Sequence, residues 1–215
     1  MTENLYEAQY DLTKKSKLKK FYDSYKILII SALSIIVVLF VSFNLYLDKK
    51  EKKGILIAEN YFKAKVYLET ERKNEAKILL KELVFSDNST YSTLSLFLLI
   101  NENLITDPDE ISSMFDHLIK NNKFDEEYKK LLTYKKTLLN SNNLNEEEML
   151  KSLKPLLNQD SIWKPHALIL LGDYFTSKGQ FVKAIEFYQE IFSIKNLSNE
   201  IYNYTRSQLI LISNE

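Results

Sequence analysis

Residues that form turns are scarce in this chain: 3 glycines and 3 prolines occur in 215 residues. Sandwiches, barrels and nucleotide-binding sheets need more turn glycines than this, so the composition predicts an all-α protein. Hydrophobic residues make up 45% of the chain, which is enough for a packed core and argues against global disorder. The absence of cysteine excludes disulfide scaffolds, thiolate metal sites and cysteine nucleophiles.

Basic and acidic residues are balanced, with 29 of each and a formal net charge of +0. Proteins that bind nucleic acid normally carry a basic surplus, so we expect no nucleic-acid partner. Beyond Lys53 the acidic residues outnumber the basic ones. The C-terminal part therefore does not have the charge pattern of a protein that binds anionic lipid surfaces.

An uninterrupted apolar stretch runs from Ile27 to Leu47 and contains no ionisable residue apart from Tyr46. As a helix this stretch would be roughly 31 Å long, which matches the hydrocarbon thickness of a bilayer. A buried core helix is rarely so long and uncharged, and a cleaved signal peptide has a shorter apolar region followed by small residues. We therefore predict a membrane anchor that begins at Ile27 and ends at Leu47.

Lysines on both sides of this stretch indicate the topology. Six precede it and four follow it, so the positive-inside rule favours a cytoplasmic N-terminus. We expect a short cytoplasmic lysine-rich tail at 1–26, the transmembrane anchor at 27–47, a charged linker at 48–54 and a helical domain at 55–215.

Within the helical domain, apolar periodicity and capping residues predict a series of short helices. Asp107 before Pro108, and Asn145 before three glutamates, are typical helix starts because they combine a side-chain acceptor with a favourable first turn. Helices are expected at 55–70, 73–85, 90–103, 108–121, 124–140, 146–158, 165–177, 181–194 and 198–213. Helices of this length with short connections form antiparallel pairs and bury their apolar faces against neighbours.

The last full pair contains the spacing of the tetratricopeptide repeat, W-x2-L-G-x2-Y followed by A-x3-F. Gly172 and Ala184 are expected where the two helices cross, because a larger side chain would separate them. Phe175 and Tyr188 are expected to fill the volume between successive hairpins, and Gly179 permits a left-handed turn. The matching positions are Leu168, Leu171, Gly172, Phe175, Gly179, Ala184, Tyr188 and Ile191.

An earlier copy of this pattern lies at the start of the domain. Its equivalent positions are Ala64, Tyr67, Ala76, Leu80 and Leu83. Two degenerate repeats are expected between the copies, at about 90–121 and 127–158, and a step of about 34 residues from Ala76 lands on Glu110, out of register. The sequence thus predicts an all-α chain with a single N-terminal transmembrane helix followed by a tetratricopeptide-like α-solenoid of helical hairpins.

A lysine-bearing tail, one apolar span and degenerate repeats together resemble the membrane-anchored tetratricopeptide-like family that includes the ancillary subunit of the SecYEG translocon. The resemblance covers the whole chain in architecture, while specific residues match in the last full hairpin. It implies a single-pass bacterial inner-membrane protein with a cytoplasmic N-terminus and its repeats in the periplasm. It also implies protein partners, namely translocon subunits, periplasmic chaperones or exported clients.

Residues that could perform catalysis are scattered. His117 and His166 belong to different hairpins, and neither lies in a metal-binding motif. The chain has no nucleophile elbow and no glycine-rich phosphate loop. Trp163 is expected to pack against the preceding hairpin. We therefore expect no enzyme activity, cofactor, metal or small-molecule substrate.

We interpret the chain as a non-enzymatic, membrane-anchored protein-interaction scaffold that assists secretion or periplasmic chaperoning near the Sec translocon. Solenoids of this kind bind peptides with the first helix of each pair. Asp173 and Lys65 are the charged candidates expected to matter most in this groove, and charge reversal at Asp173 is expected to weaken partner capture without unfolding the domain. The candidates are Ala58, Tyr61, Lys65, Leu68 and Glu69 in the first pair, and His166, Ile169, Asp173, Thr176 and Ser177 in the last.

The alternative interpretation is a homo-oligomerising structural or assembly adaptor of the bacterial inner membrane. The final helix, 198–213, carries a broad apolar surface that includes Ile201, Leu209 and Ile210. This helix would normally cap the last repeat, but an exposed patch could instead pair two copies of the chain.

Overall fold

The computed structural model describes residues 17–86, 88–121, 123–158 and 161–213. These residues form α-helices joined by short connections and contain no strand, so the predicted all-α class is confirmed for them. The helices are α1 (Lys17–Glu69), α2 (Lys73–Val84), α3 (Ser89–Asn101), α4 (Pro108–Asn121), α5 (Glu126–Asn140), α6 (Glu146–Leu153), α7 (Lys164–Ser177), α8 (Phe181–Ile191) and α9 (Asn199–Ile212), with a 3₁₀ turn at Lys154–Leu156 after α6.

The chain divides into two compact units, Met1–Ile55 and Leu56–Glu215. In the first unit, the apolar side chains from Ile27 to Leu47 that are described are largely exposed. No single helix among the described residues meets the length and hydropathy requirements of a membrane span, although the segments Lys19–Leu28 and Leu33–Glu69 meet them jointly across a 53° bend. Residues 1–16 of the predicted lysine-rich tail lie outside the described residues.

The predicted charged linker at 48–54 is helical and forms part of α1. Lysine and glutamate favour helices, and Lys52 forms an ion pair of 2.9 Å with Asp48 one turn earlier. Gly54 has no neighbour within 4 Å of where its Cβ would lie, so it serves neither a turn nor a close contact. Charge alone therefore does not end a helix, and α1 continues into the repeat domain.

The second unit contains two apolar cores that follow each other along the chain. The N-terminal core is formed by the end of α1, by α2, α3 and α4, and by the start of α5; it includes Ala64, Leu80, Leu96, Leu99, Phe115 and Leu132. The C-terminal core is formed by α6 to α9 and includes Met149, Leu153, Leu171, Phe175, Ala184 and Tyr188. Helix α5 takes part in both cores, because Tyr134 packs against the C-terminal one.

Three hairpin turns close with a residue in the left-handed conformation. The φ angle is +58° at Glu71, +52° at Asn103 and +69° at Gly179. In each turn the next amide donates to the carbonyl five residues back, at 2.8 Å in the first turn and 2.9 Å in the other two. The left-handed turn predicted at Gly179 is confirmed, while glutamate and asparagine hold the same position in the earlier turns.

The connection between α3 and α4 explains the loss of register in the second repeat. Helix α4 begins at Pro108, five residues after Asn103, whereas α2 and α8 begin two residues after their left-handed residues. The three additional residues shift α4 along the repeat. Ile111 consequently takes the buried position that Ala76 and Ala184 hold in the outer repeats.

Candidate functional site

A cavity of about 800 Å³ lies beside helix α7 in the second unit. Its walls are the start and middle of α7, the connection between α8 and α9, and the first turns of α9. Helix α9 packs mainly against α8 and only lightly against α7, which leaves the space between α7 and α9 open. Ile162, 66% exposed, lies at the mouth of the cavity, and Ile169 and Ile201 contribute apolar surface inside it.

Asp173 is the most strongly engaged polar residue of this cavity. The hydroxyl of Tyr188 donates to its Oδ1 at 2.5 Å, and the hydroxyl of Tyr204 donates to its Oδ2 at 2.9 Å. These bonds join α7 to α8 and to α9. The carboxylate therefore holds α9 in the position that shapes the cavity, in addition to lining it.

His166 lies on α7 about two turns before Asp173, and its ring belongs to an aromatic group with Trp163 and Tyr134. Its ring centroid is 5.5 Å from that of Trp163 and 5.9 Å from that of Tyr134. The indole N–H of Trp163 donates to the carbonyl oxygen of Glu127 at 3.0 Å, so Trp163 packs against α5, as predicted. The Nδ1 atom of His166 is buried and has no hydrogen-bond partner among the described residues.

Burial and the charge of Asp173 change the acidity of the groups around the cavity. Burial and then the negative charge of Asp173 raise the pKa of Tyr204 to about 12, and they raise the pKa of Tyr134 as well. Burial, followed by the hydrogen bond to Asp173, raises the pKa of Tyr188 far above its ordinary value. All three phenols therefore keep their protons at neutral pH and can donate hydrogen bonds.

The pKa of His166 shifts the other way. Burial lowers it below its ordinary value, and the positive charge of Lys135 on α5 lowers it further, while Glu200 opposes both effects. At neutral pH the imidazole is therefore predominantly uncharged, and one of its nitrogens can accept a hydrogen bond.

The structure brings together only part of the candidate set from the sequence. His166, Ile169 and Asp173 line the cavity. Thr176 does not, because its hydroxyl donates to the carbonyl of Gly172 within α7 at 2.8 Å. Ser177 likewise bonds within α7, to the carbonyl of Tyr174.

The candidates of the first pair lie on α1 and do not line this cavity. Tyr61 packs against the N-terminal core, with its ring centroid 5.5 Å from that of Tyr91. Lys65 and Glu69 are exposed, and Ala58 and Leu68 are half-buried. That charge reversal at Asp173 weakens partner capture without unfolding the domain stays a prediction, and the reversal would also remove two hydrogen bonds from tyrosine hydroxyls.

Sequence reasoning missed the part of the cavity that comes from beyond α8. Leu197, Glu200, Ile201 and Tyr204 line it although they lie outside the repeat signature. The one available signal was Ser198, whose side chain accepts from the amide of Ile201 and begins α9. This signal places the helix, but it does not show which side chains point towards α7.

The lining of the cavity combines apolar side chains with a few polar and charged ones. Among residues 17–86, 88–121, 123–158 and 161–213, no group of three or more histidines and carboxylates could hold a metal ion. His117 lies in the N-terminal half of the domain against Phe85, with 4.7 Å between ring centroids. An apolar surface with a few directed polar groups is the usual composition of a site that binds another molecule.

The described helices, their left-handed turns and the crossing of α7 with α8 define a protein built from helical hairpin repeats. The chain belongs to the family described as the tetratricopeptide repeat-like domain, which matches residues 19–210. Neither a curated protein nor a solved structure matches the chain. Domains of this family are generally non-catalytic and mediate interactions between proteins.

Proposed function

We propose that this protein is a membrane-tethered scaffold that holds a segment of a partner protein in the cavity between α7 and α9. The observation that carries the proposal is the cavity itself. Its apolar walls lie next to a carboxylate, an imidazole and a phenol that are fixed in place by neighbouring helices. A volume of about 800 Å³ is sufficient for a few side chains of an extended or helical segment.

The exposed apolar surface of the first unit supports the proposed attachment to a membrane. Ile27 is 78% exposed, and large apolar side chains remain exposed along the helix as far as Leu47. Leaving such a surface in water is unfavourable, and a bilayer would cover it. Phe21, Tyr22 and Tyr25 precede the stretch, where aromatic side chains would lie at the lipid headgroups.

The location and the partners follow from the resemblance stated above. We propose a single span in the bacterial inner membrane, a cytoplasmic N-terminus and a periplasmic repeat domain. We further propose that translocon subunits, periplasmic chaperones or newly exported proteins supply the bound segment. The net negative charge beyond Lys53 fits a protein partner better than a nucleic acid or an anionic lipid.

Site-specific photocrosslinking in bacterial cells tests partner binding. A photoreactive amino acid at Ile162 should form adducts with partner proteins, whereas the same amino acid at Val182, which is 74% exposed on α8 and does not line the cavity, should form few. The substitution Ile169→Asp, which places a charge inside the cavity, should abolish the adducts at position 162. Equal adduct yields at the two positions would rule out the cavity as the binding site.

Membrane insertion and topology need separate measurements. The chain should resist extraction at alkaline pH, and the double substitution Val37→Asp and Val38→Asp should release it. Protease added to intact spheroplasts should digest the repeat domain if that domain is periplasmic. Full protection of the repeat domain would place it in the cytoplasm.

A second candidate function, homo-oligomerisation, is favoured by one observation on α9. Ile210 and Leu211 are 53% and 62% exposed next to each other on the helix that ends the array. Two copies could bury these side chains against one another. Light scattering of the chain in detergent at micromolar concentration tests this, and a monomer that binds the partner would reject it.

A further inference from the structure

The charges of the cavity between α7 and α9 point to the chemistry of the bound segment. Asp173, which is half-buried, and Glu200, which is exposed, both line it. Glu200 has no ion pair within the described residues, so its charge is uncompensated there. Lys195, on the connection before α9, is the basic residue of the lining. It is exposed like Glu200, so water screens both charges, and the half-buried Asp173 carries the least screened charge of the three.

The tyrosine hydroxyls do not exhaust the capacity of Asp173 to accept hydrogen bonds. A carboxylate offers about four lone-pair positions. Tyr188 bonds to Oδ1, and Tyr204 lies within bonding distance of both oxygens, at 3.0 and 2.9 Å. The carboxylate therefore retains a position for a donor that enters from the cavity, and it is held rigidly enough to favour one direction of approach.

A tyrosine ring lies beside the carboxylates in this cavity. Tyr204 contributes to the lining together with Asp173 and Glu200. Aromatic rings attract ammonium and guanidinium groups. Two carboxylates and a tyrosine ring in one cavity are thus complementary to a positively charged, partly apolar side chain.

His166 lies in the same wall, where its ring packs with those of Trp163 and Tyr134. Lys135 approaches His166 from α5, so positive charge is less favoured on that side than at Asp173 and Glu200. The cation therefore belongs at the α9 side of the cavity.

We infer that the cavity binds a lysine or arginine side chain of the partner segment between Asp173 and Glu200, while neighbouring apolar side chains of that segment pack on Ile169 and Ile201. The inference rests on the proposed function, because it names the chemistry of the segment that the cavity holds. It requires a basic residue next to apolar ones, a pattern that an acidic or uniformly polar segment lacks.

Binding of designed peptides to the full chain in detergent micelles tests this inference. The peptides share a sequence of leucine, alanine and serine and differ at one central residue, which is arginine, lysine, glutamine or glutamate. The arginine and lysine peptides should bind about tenfold more tightly than the glutamine peptide at low salt, and the glutamate peptide should bind least. Added salt should reduce the difference.

Two charge-neutralising variants separate the site from the overall charge of the domain. Asp173→Asn keeps an oxygen that accepts from the tyrosines, and it should remove most of the preference for arginine over glutamine. Glu147→Gln removes one charge from an exposed position on α6 and should leave that preference unchanged. Glu200→Gln changes an exposed residue in the first turn of α9, and it should reduce the preference even if Asp173→Asn fails to fold.

The possible results distinguish this inference from the proposal on which it rests. Equal binding of the arginine and glutamine peptides, or tighter binding of the glutamate peptide, would overturn the inference while adducts at position 162 still supported the cavity. Absence of adducts at position 162 would instead contradict the proposed function. A preference for arginine that Asp173→Asn and Glu200→Gln leave intact would also overturn the inference.

Discussion

The first and last helical hairpins share one register, 108 residues apart, but they carry different residues at equivalent buried positions. In the last hairpin the ring of Tyr188 lies over Gly172, and a Cβ added there would be 2.6 Å from Cζ of Tyr188. The corresponding residues of the first hairpin are Ala64 and Leu80, both fully buried in the N-terminal core. The last hairpin thus fills its close crossing with a large ring over glycine, whereas the first buries two smaller aliphatic side chains.

This difference determines where a polar site can form. The large residue of the last hairpin is a tyrosine, so its hydroxyl reaches Asp173 on the facing helix. At the same register the first hairpin has Lys65, which is exposed, and a leucine that offers no hydroxyl. The repeat fold is common to both hairpins, whereas the cavity with its anchored carboxylate belongs to the last one.

The largest expected effect is at the crossing itself. Gly172→Ala should lower the free energy of unfolding by about 2 kcal/mol. The added methyl group would overlap the ring of Tyr188, and this steric cost exceeds the stabilisation from the higher helix propensity of alanine. Urea unfolding followed by the fluorescence of Trp163, the only tryptophan, measures this in the C-terminal core. In a Tyr188→Leu background, Gly172→Ala should not lower the free energy of unfolding. An equal loss of stability in both backgrounds would contradict the explanation from packing against Tyr188.

Loss of the bond between α9 and α7 should have the next largest effect. Tyr204→Phe removes a hydrogen bond to Asp173 and should cost about 1.5 kcal/mol, at the low end for a bond to a charged group because Tyr204 is 39% exposed. The same urea titration measures it. Tyr202→Phe, on a neighbouring exposed position of α9, is the matched control and should change the free energy of unfolding little.

The turns offer a reciprocal pair of substitutions with a smaller effect. Gly179→Ala should destabilise the last hairpin by about 1 kcal/mol, because an L-residue is strained at a φ of +69°. Glu71→Gly should stabilise the first hairpin by about 0.5 kcal/mol, since relief of strain exceeds the extra entropy of the unfolded glycine. Circular dichroism during urea unfolding follows both, and a loss of stability for Glu71→Gly would contradict the equivalence of the two turns.

The smallest expected effect is a pH dependence confined to the last hairpin. The pKa of His166 is lower in the folded chain than in the unfolded one, so the unfolded state binds more protons. The stabilisation that results from this difference in proton binding is present at a pH above the pKa of histidine in the unfolded chain, about 6.5. It is lost as the pH falls below that value. Urea midpoints from Trp163 fluorescence should therefore decrease between pH 7.5 and 5.5, and His166→Gln should weaken that decrease.

Much of the fold could be predicted because its signals are local. Asn145 forms the expected capping arrangement at the start of α6, with reciprocal bonds to Glu148, and α4 begins at Pro108 as expected. The expectation that Tyr188 fills the volume between hairpins was only partly right, because its ring packs on Gly172 within its own hairpin. Which neighbour a buried ring contacts depends on the crossing geometry, which periodicity does not specify.

The candidate site was less predictable because it joins distant parts of the chain. Asp173 and Tyr204 are 31 positions apart, and His166 meets Tyr134 of a helix that belongs to both cores. The charged segment at 48–54 differs from the site because its signal is local: lysine and glutamate are good helix formers, and the segment is helical.

The helical class, the positions of most helix ends and the repeat family can be read from the amino-acid sequence, since apolar spacing, caps and small residues act over a few turns. The cavity that α9 leaves beside α7 and the two tyrosine bonds to Asp173 arise from the packing of the helices. These contacts depend on the angle at which packed helices cross, and that angle is set by the shapes of all the side chains between them.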